Sequence, residues 1–312
     1  MKDAYQREIN YLRISVTDRC NLNCFYCMPD GIEKISHDKI LRDEDIISIV
    51  EEAVKIGIKK IRITGGDPLV RKGIYTLIKK IKAVKGIEEI TMSTNGLLLV
   101  GNVKKAKEAG ISRINFSLDT LNEETYKHIT NHDVIFDYRA LITELQKEDM
   151  TPIKINAVLL RTINDHEIED FFALADQYDI SVRFIELMPV GHLDFDYDRH
   201  FISKEEILSR YPHLVFNRKE LIAEYFTIPG KKGEIGFISP ITHQFCEYCN
   251  RLRLTSEGTI KTCLHHNNEI PVKGKTKNEI YKNLKKALKT KEKSHQLQDN
   301  KTSDKSMNKI GG

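Results

Sequence analysis

Nowhere in these 312 residues does an apolar run approach the roughly 18 needed to cross a bilayer, and the N-terminus lacks the apolar stretch of a secretory signal. No membrane association is expected, and the chain is placed in the cytoplasm. Cysteine is too sparse for a disulfide framework, with six thiols in a chain of this length. Aromatics are missing where lysines crowd: residues 271–312 hold 12 Lys against 4 Asp or Glu, with Tyr281 the one aromatic among them. The net charge of +4 is therefore a property of the tail, which reads as solvated helix surface and not as a nucleic-acid arm. No internal repeat is present.

The cysteines lack something too. They fall into two groups, Cys20, Cys24, Cys27 and Cys246, Cys249, Cys263, each one thiolate short of a closed four-ligand site. Structural metal sites usually take four protein ligands, whereas sites that do chemistry leave one position open. The first group is a C-x3-C-x2-C loop able to wrap three corners of a cubane; a zinc site completed by His37 is the alternative. In the second, a C-x2-C pair with a third Cys fourteen residues on suits either a cluster or zinc with His265 or His266. Arg251 and Arg253 beside it suit a polyanionic ligand.

From Tyr11 onward, β-branched runs alternate with amphipathic stretches, the signature of an α/β chain with a parallel sheet under helices. Strands are predicted at 11–16, 61–64, 89–94, 113–118, 152–160 and 181–187. Six such units suggest a curved, incomplete (β/α)6 barrel of the TIM type. Its chemistry is expected at the C-terminal ends of the strands, where the cysteine loop, Gly65-Gly66-Asp67-Pro68, Ser93 to Gly96, Ser117 to Asp119 and Met188-Pro189 all fall. The alternation stops near residue 190, so 1–190 reads as the barrel and 191–312 as a second region. That region carries strands at 223–228 and 234–238, a hairpin over 252–262 and a helix over 275–288. Residues 290–309 are polar enough to be mobile when unbound.

The Cys20 loop resembles that of the radical S-adenosylmethionine (SAM) enzymes, in which the amino and carboxylate groups of SAM chelate the free iron of a [4Fe–4S] cluster. The context Leu12 to Asn21, the Phe245 to Thr255 segment, Asn95-Gly96, Ser117 to Asp119, Lys154 to Asn156, Phe184 to Pro189 and the Ile310-Gly311-Gly312 end narrow the resemblance. They are similar to the branch that cyclises GTP at the start of molybdenum cofactor biosynthesis, and the likeness runs nearly end to end. It implies two [4Fe–4S] clusters on the two cysteine groups, and a deoxyadenosyl radical that removes the 3′ hydrogen of GTP so that C3′ joins guanine C8. It also implies that Tyr26, Gly66, Asp67, Ser117 and Met188 meet SAM, that Arg13, Arg62, Ser93, Lys154, Arg251 and Arg253 meet GTP, and that the Gly311-Gly312 tail reaches back to act with Arg13 in catalysis. An electron donor, and pyranopterin monophosphate synthase as the next enzyme, follow from the same resemblance; a monomer or homodimer is equally compatible with it.

One departure stands out. Asp67 occupies a position where that family usually has Glu, whose carboxylate receives the amino group of SAM. Being one methylene shorter, Asp67 is expected to reach SAM over a longer or water-bridged contact.

Overall fold

The computed structural model describes residues 1–28, 36–295, 297 and 302–311. Six parallel strands lie side by side in chain order: β1 (Tyr11–Ser15), β2 (Lys60–Thr64), β3 (Glu89–Thr94), β4 (Arg113–Ser117), β5 (Lys154–Leu159) and β6 (Ser181–Glu186). Each agrees with its sequence-based span to within two residues at either end. Strand alternation makes the reason plain. Leu12, Ile14, Ile61, Ile63, Ile90, Met92, Ile114, Phe116, Ile155, Val182 and Phe184 sit on one face and are almost fully buried under the helices. Each such side chain contributes roughly 1.5–3 kcal/mol by leaving water.

The crossover helices supply the facing layer. Helix Asp43–Lys55 opens on Asp43, Glu44 and Asp45 and closes on Lys55, matching its dipole, and buries Ile46, Ile49, Val50 and Ala53. Against it packs helix Lys277–Lys289, started by a reciprocal Thr276–Glu279 capping box and burying Ile280, Leu284, Ala287 and Leu288.

The strands beyond residue 190 extend this same sheet at both edges. They are β7 (Val215–Glu220), β8 (Ala223–Thr227), β9 (Glu234–Ile238), β10 (Arg251–Leu254), β11 (Thr259–Lys261) and β12 (Glu269–Pro271). The order is β12-β11-β10-β1-β2-β3-β4-β5-β6-β9-β8-β7, open and not closed on itself. β9 joins β6 in parallel and β10 joins β1 in parallel, so the barrel wall continues across residue 190. The expected hairpin is β10 against β11.

The tail differs from expectation. Among its described residues, Lys291, His295, Ser303, Asn308 and Ile310 are buried. Their polar groups have distant partners: Lys291 donates to the Thr262 carbonyl, Lys261 to Ser303 (3.2 Å), and Lys305 pairs with Glu269 (2.9 Å). Composition alone could not reveal this, because every partner lies on another element.

Candidate active site

Register decides what lines the lumen. Tyr11, Arg13 and Ser15 share the face of β1 opposite to the apolar one; Arg13 lies between Arg253 of β10 and Arg62 of β2, and Tyr11 beside Arg251. The row continues through Thr91 and Ser93 on β3, Asn115 on β4, Lys154 and Asn156 on β5 and Arg183 on β6. An in-register parallel sheet keeps each set on one face, so residues scattered over some 240 positions meet in one polar lumen.

The lumen is strongly cationic. Burial holds Arg13 well below its ordinary value, helped by Arg253 and Arg62; burial and then Arg251 bring Arg253 to about 10. Burial also lowers Arg62 and Arg183. Arg62 donates to Thr91 (3.2 Å) and Ser93 (3.4 Å), and Asn115, its carboxamide oxygen turned inward, accepts from Arg62 (2.8 Å) and Arg183 (3.1 Å). Nε of Arg183 and of Arg251 and Oδ1 of Asn156 are buried without a hydrogen bond among the described residues. Crowded guanidiniums in a poorly solvated space are relieved by an anion with several acceptor oxygens. Lys154, which completes the row, is held by Glu220 (3.0 Å) and the Tyr225 hydroxyl (3.1 Å). Sequence reading passed over Arg183, although its alternation with Val182 and Phe184 was a usable signal.

At the C-terminal end of β1, the first cysteine loop is pinned by backbone bonds from Asn23 to Thr130 (3.0 Å) and from Phe25 to Ile129 (3.1 Å). Cys20 Sγ accepts from Leu22 N (3.4 Å) and Asn95 Nδ2 (3.7 Å). Burial pushes Cys27 up to about 12 and Cys20 to about 11, and raises Cys24 well above its usual value. Three free thiols disfavouring a lone charge, already met by N–H donors, suit a cationic iron cluster as partner. Among the described residues no three His, Cys, Asp or Glu side chains stand close enough to grip a single ion; a four-iron cubane is a wider body.

Around this rim stand the residues expected to meet SAM. Tyr26 donates its hydroxyl to Asp119 (2.6 Å), Ser117 is exposed at the end of β4, and Met188 is half-buried after β6. Gly66 has a reason of its own: a Cβ there would lie 2.3 Å from the Arg19 carbonyl oxygen, so close passage of the chain's own backbone already demands glycine. Asp67 is 1% exposed; one oxygen accepts from the Thr94 hydroxyl and Asn95 N (2.7 Å each) and the other from Leu69 N (2.9 Å). In this structure its carboxylate thus serves the chain's own donors.

The second cysteine group sits at the opposite end of the lumen, before the N-terminus of β10. The roughly 3.3 Å rise per residue puts the two groups on the order of 15–20 Å apart along the β1–β10 pair. Arg7 fastens it, donating to the carbonyls of Cys246 (2.7 Å), Lys293 (2.9 Å) and Glu292 (2.6 Å) while paired with buried Asp3. Nothing in the sequence pattern pointed to Arg7. Although burial opposes it, Lys291 and Arg251 bring the Cys249 thiol below its usual value. His266 bonds the Ser294 carbonyl (3.2 Å), and His265 is buried against His295.

The tail closes one side. Arg253 donates to the Gly311 carbonyl, and Gly311 has φ +70° with Thr64 Oγ1 only 2.7 Å from where a Cβ would stand. Asn308 donates its side chain to the Asp18 carbonyl (3.0 Å) and its backbone N–H to Cys27. Gly312 lies outside the described residues.

A partial parallel barrel with three open thiols after its first strand defines a radical-SAM enzyme. The Radical SAM superfamily model matches residues 14–175, and a model described as Molybdenum Cofactor Synthesis C matches 180–297. The fold is shared with SuiB of Streptococcus suis bound to S-adenosylmethionine (TM-score 0.61, 15% identity, 88% of this chain and 66% of that one), a likeness that shows the fold alone. Two relatives named GTP 3′,8-cyclase are far nearer. That of Peptoclostridium acidaminophilum is 46% identical over 99% of this chain and 98% of its own, and that of Alkaliphilus oremlandii 44% over the whole of both. The chain belongs to the GTP 3′,8-cyclase family of the radical SAM superfamily.

Proposed function

We infer that this chain converts GTP to (8S)-3′,8-cyclo-7,8-dihydroguanosine 5′-triphosphate, the first committed product toward molybdenum cofactor. The observation that carries the reading is the in-register row of Arg13, Arg62, Arg251 and Arg253, half-buried or buried, between two sets of three thiols.

Cys20, Cys24 and Cys27 would hold a [4Fe–4S] cluster, which when bound would supply the one-electron reductive chemistry that the radical SAM family applies to SAM. Tyr26, Gly66, Ser117 and Met188 line the place for SAM, with Asp67 behind them. Cys246, Cys249 and Cys263 would hold a second cluster with three thiolates, one short of a closed set, beside the cations proposed to meet GTP. The guanidiniums and Lys154 neutralise the triphosphate, the guanidiniums bidentately, and Ser93 adds a hydroxyl. Arg13 and the Gly311-Gly312 tail hold the ribose side, with Arg253 as their link. Such clamping at both ends matters because a primary radical takes any C–H bond it reaches, so positioning selects the 3′ hydrogen.

No described helix is long and apolar enough to cross a membrane, and oxygen-labile clusters favour the reducing cytoplasm. An external electron donor serves the enzyme, and pyranopterin monophosphate synthase takes its product onward. The test is anaerobic reconstitution with iron and sulfide, then GTP, SAM and reductant, with mass spectrometry for 5′-deoxyadenosine and cyclised GTP. Both products support the reading; deoxyadenosine alone points to another substrate, and neither product despite intact clusters removes the assignment.

A further inference from the structure

The sequence placed Asn95-Gly96 among the rim loops and assigned Asn95 no role of its own, yet the Asn95 side chain is aimed at a cluster ligand. Leu97 N donates to Asn95 Oδ1 (3.1 Å), which fixes the carboxamide so that Nδ2 faces Cys20 Sγ (3.7 Å) and Asn21 Oδ1 (2.7 Å). The turn itself is bolted down. Asp67 Oδ2 accepts from Asn95 N and from the Thr94 hydroxyl, and the backbone N of Asp67 donates to the Arg19 carbonyl (2.8 Å), one residue before Cys20. Gly96 has φ +86° and lies under Phe136, whose ring would stand 2.7 Å from an added Cβ. Three loops, after β1, β2 and β3, are thereby locked into one frame whose product is an N–H directed at a thiolate.

We propose that Asn95, held by Asp67, is a positioning residue that sets the reduction potential of the N-terminal cluster through its hydrogen bond to the Cys20 thiolate. The inference rests on the radical-SAM reading of that loop. A donor to a ligand sulfur stabilises the reduced, more negative cluster and so raises its potential. The frame exists because a carboxamide 75 residues from Cys20 must be delivered at a fixed angle, which one buried carboxylate with three backbone and hydroxyl donors achieves. Asp67 then acts at one remove from the cluster, through its bonds to Thr94 and Asn95.

The test uses the reconstituted full-length enzyme and its Asn95→Ala and Asn95→Asp variants, the second nearly isosteric and keeping an acceptor for Leu97. Iron content, SAM affinity and an EPR-monitored redox titration of the signal that responds to SAM are measured. Expected are full iron loading, SAM affinity within about twofold of wild type, and a more negative potential in both variants, more so for Asp because it adds charge. Deoxyadenosine formation should slow with a weak reductant and recover with a strong one. Unchanged potentials overturn the proposal, as does lost SAM affinity at constant potential, which would make Asn95 a SAM ligand. Loss of the cluster from both variants also overturns it, by making Asn95 an assembly residue. Failure of wild type itself to build the N-terminal cluster would instead remove the reading beneath it.

Discussion

The two cysteine groups offer the same three sulfurs to iron in opposite electrostatic settings. Around Cys20, Cys24 and Cys27 the charged neighbours are carboxylates: after burial itself, Asp67 raises Cys20 and Asp119 raises Cys24. Around Cys246, Cys249 and Cys263 they are cations: against burial, Arg7 and Lys291 pull on Cys246, Lys291 and Arg251 on Cys249, and Lys291 on Cys263. Anionic surroundings make a cluster harder to reduce and cationic ones easier. On the function proposed above, the first site would favour a strong reductant, and the second would sit beside the triphosphate and its cations.

Removing one ligand from each group breaks the comparison most severely. Cys27→Ser should abolish both deoxyadenosine and cyclised GTP, whereas Cys263→Ser should keep deoxyadenosine formation and lose the cyclised product. Each variant should fall from about eight irons to about four. Chemical iron analysis with product mass spectrometry checks both; equal behaviour of the two variants would mean the sites are not divided in labour. Next in size is Arg253→Ala, which would remove the proposed charge-assisted contact to GTP, of about 1.5–3 kcal/mol, so GTP should bind about 10- to 150-fold more weakly by calorimetry. SAM affinity should hold, since Arg253 lies with the lumen cations and away from the Cys20 rim.

Much of this was legible in the sequence, for a physical reason. The βα alternation set the strand positions, whereas Arg13, Arg62, Arg251 and Arg253 were grouped only through the family resemblance; the register then puts them in one row. Arg183 follows the same parity. What alternation cannot carry is pairing between distant segments: β9 and β10 joining β6 and β1, Arg7 reaching Cys246, or Ser303 accepting from Lys261. The docked tail was hidden for that reason, since its polar groups meet residues distant in the chain, such as Glu269 for Lys305, 36 positions away, and Asp18 for Asn308, 290 away. Asp67 was hidden differently. Its identity was visible, but the direction of its carboxylate depends on which donors the neighbouring loop presents.

A smaller effect tests whether the tail belongs to the lumen side of the comparison. Gly311 occupies the left-handed region with Thr64 against it. Gly311→Ala meets a penalty of about 1–2 kcal/mol from conformation alone, which predicts a roughly five- to thirtyfold loss of cyclisation. Deoxyadenosine formation without GTP should be little changed; a parallel loss of both would place the tail's role at the Cys20 end, through Asn308.

The smallest effect sharpens the contrast of the two fields. Burial raises Asp119 from its ordinary 3.8 to about 6, against the pull of its bonds from Tyr26 and Val158. Above about pH 6 it is a buried anion facing Cys24 and depresses the N-terminal potential; below, it is neutral and the depression is lifted. The potential of that cluster should therefore rise as pH falls from about 7 to 5, by no more than about 59 mV per pH unit for a one-electron couple. Asp119→Asn should abolish the slope and hold the potential near its low-pH value. The C-terminal cluster should show neither change, whereas Lys291→Gln should lower that potential alone. Redox titrations of each signal at the two pH values decide this, and parallel slopes at both clusters would show that the carboxylate and cation fields do not separate them.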